Sequence, residues 1–349
     1  MSNPRISVVM SVYNGLPHLK GAVDSILGQT FSALEFIVID DGSTDGSREL
    51  LRSYKDPRLK LIEQENTGLT KALIRGVSEA RCDFVARQDA DDVSAPERLA
   101  RQLAMLEAAP AAVAIGCSIA LRSPDGRTAV AQPIGNPSLY PWFNTFFNVF
   151  GGHGQMMFRR SAYDLAGGYD PAFRYAQDHD LWDRMMQIGP FLHLAEPLYE
   201  QLVHHVDSIS RKFHAEQTRL SLAVSRRAFR RITGEALDDD DGLMLRRFWN
   251  RSPGVEHARV DQLMRSAADA YFRPPALAQL RPQLNELIAE QWLARANVTS
   301  ALRPWAIGGA LLRAAAWKPW LALSGPPRLM KVRLSRLARK GLSRVAPRG

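Results

Sequence analysis

The sequence predicts an α/β fold, with a mostly parallel central sheet followed by a mainly helical C-terminal region. Three observations predict it. Apolar strand-like runs alternate with helical-period segments over the first 120 residues. Those strand runs hold few polar residues, as expected where helices cover both faces of a parallel sheet. From residue 214 to 300 the apolar positions follow helical spacing, with Leu220, Val224, Leu243 and Leu263 as anchors.

The elements follow in order. ISVVMSVYN (6–14) reads as a buried strand, and HLKGAVDSILGQTF (18–31) sets Leu19, Val23, Ile26 and Leu27 on one helical face. LEFIVIDDGSTD (34–45) is a strand running into a turn, and Asp45 to Tyr54 a short helix stopped before Pro57. LKLIEQ (59–64) is a strand, 66–80 a turn and helix, DFVARQD (83–89) a strand and PERLARQLAMLEAA (96–109) a helix. VAIGCSIAL (113–121) closes the series. Beyond residue 122 the pattern breaks. QMMFRR is a strand leaving a glycine turn, a helix begins near His179, and 191–205 holds one or two strands. DDDD at 238–241 reads as a solvated loop or helix start rather than a second metal site.

In such sheets ligands sit beyond the C-terminal ends of the strands. The polar clusters fall there: Tyr13 and Asn14 after the first strand, Asp40 and Asp41 after the second, Asp89, Asp91 and Asp92 after the fourth. Three carboxylates within four positions repel, and a divalent cation is the natural partner for bare oxygen ligands. Asp89 and Asp91 share a side if strand geometry persists, and Asp92 can cap the next helix or orient its neighbour. Arg87, two residues before Asp89, can face the same cleft and steady a carboxylate or phosphate. The first loop, SVYNGLPHL, has one glycine, and neither G-x-G-x-x-G nor G-x-x-x-x-G-K-[ST] occurs. A dinucleotide oxidoreductase or a P-loop enzyme thereby loses its main support.

Charge is unevenly placed. Residues 211–349 hold 26 Lys or Arg against 11 Asp or Glu, a net of +15, while residues 1–210 hold 19 against 25, a net of −6. A basic C-terminal half fits nucleic acid, anionic lipid or an anionic substrate. No recognised nucleic-acid motif accompanies it. The stretch 301–325 mixes three tryptophans with aliphatic and single basic residues, and no acid occurs from 291 to 349. That is the profile of a helix lying in a membrane interface, with a packing helix and basic end as the alternative. The N-terminus lacks the pattern of a signal peptide, and no run of 18 uninterrupted apolar residues occurs. Cys82 and Cys117 read as buried thiols.

The chain resembles the family 2 glycosyltransferases of the GT-A fold, of the bacterial cell-surface polysaccharide type. The resemblance is carried by SVYNG (11–15), IDDGSTDGS (39–47), NTGLTKAL (66–73) and ARQDADDVSAPERLARQ (86–102). GHGQMMFRR (152–160), AGGYD (166–170), AQDHDLWDRM (176–185) and HVDSIS (205–210) continue it, so it covers about residues 4–212. It implies a GT-A domain over 1–212, with a nucleotide-binding half (1–122) and an acceptor-binding half (123–212). A helical extension (213–300) and the basic tail (301–349) then follow. Tyr13 resembles the aromatic that stacks on the nucleotide base, and Asp41 with Asp40 the carboxylates that read it. Lys71 lies in the helix that brings a basic residue toward the nucleotide. Asp89 and Asp91 are similar to the DXD pair, with Asp91 the best ligand for Mn2+ or Mg2+. His205 resembles the histidine that completes the metal site, with His204 as its neighbour and rival. Asp178 matches the catalytic base, but Gln177 stands where the motif commonly has Glu.

A separate physical case supports Asp178. Inversion at an anomeric carbon needs a base on the acceptor side and charge stabilisation on the leaving side. Asp178 lies near a helix N-terminus, which favours its ionised form. Asp180, before Leu181 and Trp182, is the alternative. His153, between glycines, is placed near the acceptor or donor sugar, with a turn role as its rival. Trp182 is either core or a sugar platform, and Gln177 and Trp182 are set on the acceptor side.

The expected activity is therefore metal-dependent, inverting transfer from a nucleoside-diphosphate sugar. Its acceptor is a glycan or lipid-linked glycan, on the inner face of a cytoplasmic membrane. A sugar-nucleotide pyrophosphorylase and a non-catalytic nucleotide-sugar or glycan binder are the rivals. The first wants a glycine-rich, basic phosphate loop that SVYNGLPHL lacks.

Overall fold

A computed structural model describes residues 3–203, 213–299 and 304–318. They form two compact units. One comprises the chain up to Pro133 together with Asn148–Leu220, and the other comprises Ile134–Phe147 and the chain from Ser221 onward.

The first unit is built on β1 (Ile6–Val12), α1 (Leu19–Leu27), β2 (Leu34–Asp41), α2 (Ser47–Ser53), β3 (Leu59–Gln64), α3 (Leu69–Ser78) and β4 (Phe84–Gln88). Then come β5 (Val93–Ser94), α4 (Arg98–Ala108), β6 (Ala114–Arg122) and β7 (Thr128–Ala131). After α5 (Tyr140–Asn144), which belongs to the second unit, the chain adds β8 (Met157–Arg159), α6 (Arg160–Leu165), α7 (Gln177–Met185) and β9 (Phe191–Leu202). The nine strands run in the order β3-β2-β1-β4-β8-β6-β9-β5, with β7 on β6.

The four strands that the sequence pattern marks most clearly, β3, β2, β1 and β4, are parallel neighbours. Ile6 pairs with both Leu34 and Phe84, so β1 is central, and every residue of β2 is buried. Helices cover the strands through narrow apolar faces, as in α1 with Leu19, Ala22, Val23 and Ile26 buried. On α3 the approach is closest at Gly76, where a Cβ would lie 2.5 Å from Val9 Cγ1. Beyond β4 the sheet changes sense: β8 is antiparallel to both β4 and β6, while β6 and β9 are parallel. The C-terminal ends of β1, β2 and β4 share one edge, which is where the acidic loops emerge. Cys82 and Cys117 are buried free thiols, as expected.

The chain passes from the first unit to the second within α8 (His214–Thr233). The second unit continues with α9 (Asp239–Trp249), α10 (His257–Tyr271), α11 (Pro275–Ala278), α12 (Arg281–Thr299) and α13 (Pro304–Trp317). Its core is aromatic. Trp142 and Phe143 of α5 meet Trp249 edge-on at 5.8 and 5.3 Å, and Phe248 packs on Trp292 at 4.6 Å. The aspartate run starts a helix, because Asp238 caps α9 by accepting from Asp241 N–H at 2.8 Å. One tail tryptophan departs from the interfacial expectation. Trp317 is buried, donates through Nε1 to Asp261 at 2.6 Å and lies under the Arg265 guanidinium at 4.5 Å. It is a packing residue. Residues 319–349 lie outside the described residues, and no helix among the described residues is long and apolar enough to cross a membrane.

Candidate active site

The first two loops are tied to each other. Asn14 and Gly15 donate their backbone N–H groups to Ser43 and Ser47 hydroxyls at 3.1 and 2.9 Å. The Asn14 side chain accepts from Thr44 N–H at 2.8 Å. Tyr13 stands beside this knot with its ring 55% exposed, open to stacking. Asp40 and Asp41, both buried, divide the work at the end of β2. Asp40 accepts from Ser43 N–H at 3.1 Å and pairs with Arg48 at 2.6 Å, so it shapes the turn. Asp41 accepts from Gln64 Nε2 (2.6 Å), Thr67 N–H (2.9 Å) and Gly68 N–H (2.8 Å), fixing the loop into α3. An open groove of about 430 Å³ lies alongside, lined by Gly42, Arg48, Glu63, Gln64, Glu65 and Asn66. Lys71 is exposed on the first turn of α3.

The acidic loop after β4 rests on two buried arginines. Arg87 is fully buried, donates to Val9 and Gln88 carbonyls at 2.6 and 2.9 Å, and pairs with Asp89 at 2.6 Å. Arg98, also fully buried, donates to the Gly154 and Arg87 carbonyls at 2.6 and 2.9 Å. Asp89 is therefore charge-matched on one side and 29% exposed on the other. Asp91 is exposed. Asp92 is buried, and burial together with the charges of Asp89 and Asp91 raises its carboxyl far above the usual range. Such crowding is relieved by a cation. Among the described residues no three His, Cys, Asp or Glu side chains already converge on a metal-sized point. The partly exposed Asp89 and the exposed Asp91 still suit Mg2+ or Mn2+, which keep waters and take substrate phosphates as ligands. His205 and His204 lie outside the described residues.

Asp178 occupies the second position of α7. Its Oδ1 accepts from His179 N–H at 2.8 Å and its Oδ2 from Asn148 Nδ2 at 2.8 Å. Burial outweighs these donors and the helix N-terminus, with the Asp89 charge adding to it, and the carboxyl is pushed up to about 6. At pH 7 it remains mostly ionised, as a working base requires. Asp180 is fully buried and pairs with Arg184 of its own helix, at 3.1 Å from Nε, so it supports the helix. Gln177 is 7% exposed at the head of the same helix, with no hydrogen-bond partner for its Oε1 among the described residues.

Two of the acceptor-side expectations meet a different geometry. Trp182 is fully buried between His153, Phe158 and Phe191, at ring distances of 5.6, 6.1 and 5.7 Å. It presents no ring face to a sugar, and this corrects the platform reading. His153 is 7% exposed, shares a 2.7 Å hydrogen bond with the Tyr169 hydroxyl, and is kept neutral because burial pushes its imidazole well down. It braces the glycine turn rather than lining an open surface.

Sequence reasoning passed over Asn148, Tyr199, Arg98 and Gly154. The Tyr199 hydroxyl accepts from Asp89 N–H at 3.2 Å and bonds the Asp92 carboxyl. Gly154 backs onto both, since a Cβ there would lie 1.8 Å from that hydroxyl and 2.8 Å from Asp89 Oδ2. The one available signal was the glycine clustering around His153.

Comparison with known proteins bears on the family and the fold. The profile of Glycosyl transferase family 2 matches residues 7–165. EpsE of Bacillus subtilis (strain 168), a glycosyltransferase by description, is 35% identical over 208 residues, 57% of this chain and 73% of EpsE. The chain spans 25% to 65% of the length of several other curated relatives. Residues 1–349 of TarS from S. aureus, in complex with UDP-GlcNAc, superimpose with a TM-score of 0.53 at 15% identity, over 97% of this chain and 90% of that one. The mannosyltransferase PcManGT from Pyrobaculum calidifontis, in complex with GDP-Man and Mn2+, gives 0.51 at 18% identity, over 98% and 87%. These two likenesses speak to the fold. Sequence identity over most of EpsE and the matched profile settle the kinship and set the pyrophosphorylase and non-catalytic readings aside. The chain belongs to glycosyltransferase family 2, an enzyme that moves sugar from a nucleoside-diphosphate donor to a glycan acceptor.

Proposed function

We propose that the transfer is inverting and divalent-cation-dependent, with Asp178 as the base, in the synthesis of a cell-surface polysaccharide. The observation that carries this reading is the division of labour between two acidic centres of one unit. Asp89 and Asp91 crowd at the end of β4, while Asp178 sits at a helix N-terminus, its carboxylate held by the His179 N–H, the Asn148 amide and its own backbone N–H. Asp178 takes the proton of the acceptor hydroxyl, whose oxygen forms a bond to the anomeric carbon. The bond from that carbon to the diphosphate oxygen breaks with its electron pair, and the nucleoside diphosphate leaves. Mn2+ or Mg2+, when bound by Asp91 and the donor phosphates, supplies Lewis-acid charge for that leaving group. Tyr13, Asp41 and the groove beside it receive the nucleotide, with Lys71 near its phosphates. Arg87 holds Asp89 toward the donor.

The acceptor is proposed to be a glycan or lipid-linked glycan presented at an anionic membrane surface. The acid-free stretch 291–349 supports this, and so does a groove of about 480 Å³ lined by Arg226, Arg227, Arg230 and Arg231 on α8. Peripheral attachment to the inner face of a cytoplasmic membrane follows from that reading. The activity is tested by titrating UDP-, GDP- and dTDP-sugars with and without Mn2+, then determining the anomeric configuration of the product by NMR. A retained configuration would defeat the inverting reading.

A further inference from the structure

We infer that Asn148 is a positioning residue for the transfer reaction, its side-chain amide aiming the Asp178 carboxylate at the incoming hydroxyl. This rests on the reading of Asp178 as the base. Three bonds carry it. Asn148 Nδ2 donates to Asp178 Oδ2 at 2.8 Å. Asn148 Oδ1 accepts from Phe150 N–H at 3.2 Å, which fixes the amide orientation. A flipped amide would set its oxygen against the carboxylate and its NH2 against a backbone N–H. Asp178 Oδ1 accepts from His179 N–H at 2.8 Å.

Each carboxylate oxygen thus has a donor from a different segment, and the backbone N–H of Asp178 itself adds a third. His179 belongs to α7 itself, and Asn148 to the loop that precedes the glycine turn at 151–154. Turning the carboxyl about its Cβ–Cγ bond would break at least one of the two bonds. The remaining lone pairs are left to accept a proton from a defined direction, the condition for an efficient base. The charged and titratable groups that act on Asp178 are Asp89, whose like charge opposes ionisation, and the buried Tyr169 phenol. The Asn148 amide counters Asp89 by favouring the carboxylate.

The test compares Asn148→Ala and Asn148→Asp with the wild-type enzyme by pH profiles of kcat and by donor KM. Removing the donor is expected to move the acidic limb up by about one pH unit, the worth of one charge-assisted hydrogen bond. Asn148→Asp, of nearly the same shape, sets a second carboxyl against the first and is expected to move it by about two units. Activity should recover at high pH in both, and donor KM should stay within about twofold, since the Asn148 side chain bonds Asp178 and the Phe150 backbone rather than the acidic loop. Damage to folding alone would lower kcat at every pH and move no limb. If both variants keep the wild-type limb while Asp178→Asn is inactive, Asn148 does not position the base and the inference fails. If Asp178→Asn keeps wild-type turnover, the failure lies in the assignment of the base itself.

Discussion

The Tyr199 hydroxyl accepts a 3.2 Å hydrogen bond from the Asp89 backbone N–H, so β9 holds the acidic loop at its first carboxylate. Gly154 lies against the same hydroxyl, in space where a Cβ would stand 1.8 Å from it. Gly154→Ala must therefore displace Tyr199 or the turn. The expected cost is about 3 kcal/mol of stability, the upper part of the usual overpacking range, together with loss of donor binding. Tyr199→Phe, which only strips the hydroxyl, is expected to cost about 1–2 kcal/mol by leaving the Asp89 N–H without its acceptor. Denaturant unfolding and nucleotide titration of both variants check this. Wild-type donor affinity in Gly154→Ala would contradict it.

Asp41 is the acceptor for two backbone N–H groups and the Gln64 side chain. In Asp41→Asn an NH2 group replaces one accepting oxygen and meets donors it cannot satisfy. Donor KM should rise about tenfold or more, equivalent to roughly 1.4 kcal/mol. The loop into α3 should also loosen, read by hydrogen exchange at Thr67 and Gly68.

Removal of divalent ions by EDTA should abolish transfer, and Mn2+ or Mg2+ should restore it. Asp91→Asn should raise the ion concentration needed for half-maximal activity by about tenfold or more, with folding unaffected because Asp91 is exposed. Equal ion dependence in variant and wild type would remove Asp91 from the ion site.

Asp178 links activity to stability. Its carboxyl is raised from 3.8 to about 6 on folding, so the protonated form is the one folding favours. The wild-type protein therefore loses stability as pH rises from about 4 to about 6, and Asp178→Asn lacks this loss. Between pH 4.5 and 7.5 the stability difference should move in favour of the variant by about 2 kcal/mol. Urea unfolding of the two proteins across that range measures it.

The parallel half of the sheet was legible because β1, β2 and β4 are buried on both faces and the covering helices show a periodic apolar face. The aspartates at 40, 41, 89 and 91 were legible because they fall where such strands end. Strands of two and three residues, β5 and β8, are too short to show any period. The aromatic stretch around Trp142 was visible as a block, but its packing on Trp249, more than 100 residues later, left no local trace. Trp182 sat at an apolar helix position, and only the three rings around it decided between core and platform. Asn148 carried no motif, because its role depends on a carboxylate 30 residues further along the chain.

One assay addresses the role of Asp178 directly. Acceptor-dependent turnover of the sugar donor is measured for wild type and Asp178→Asn at pH 8, with saturating Mn2+ and with nucleoside-diphosphate affinity recorded in parallel. With Asp178 as the base, turnover should fall about a thousandfold, within the span typical for a catalytic base, at unchanged nucleotide affinity. Turnover within about tenfold of wild type would show that another group takes the proton.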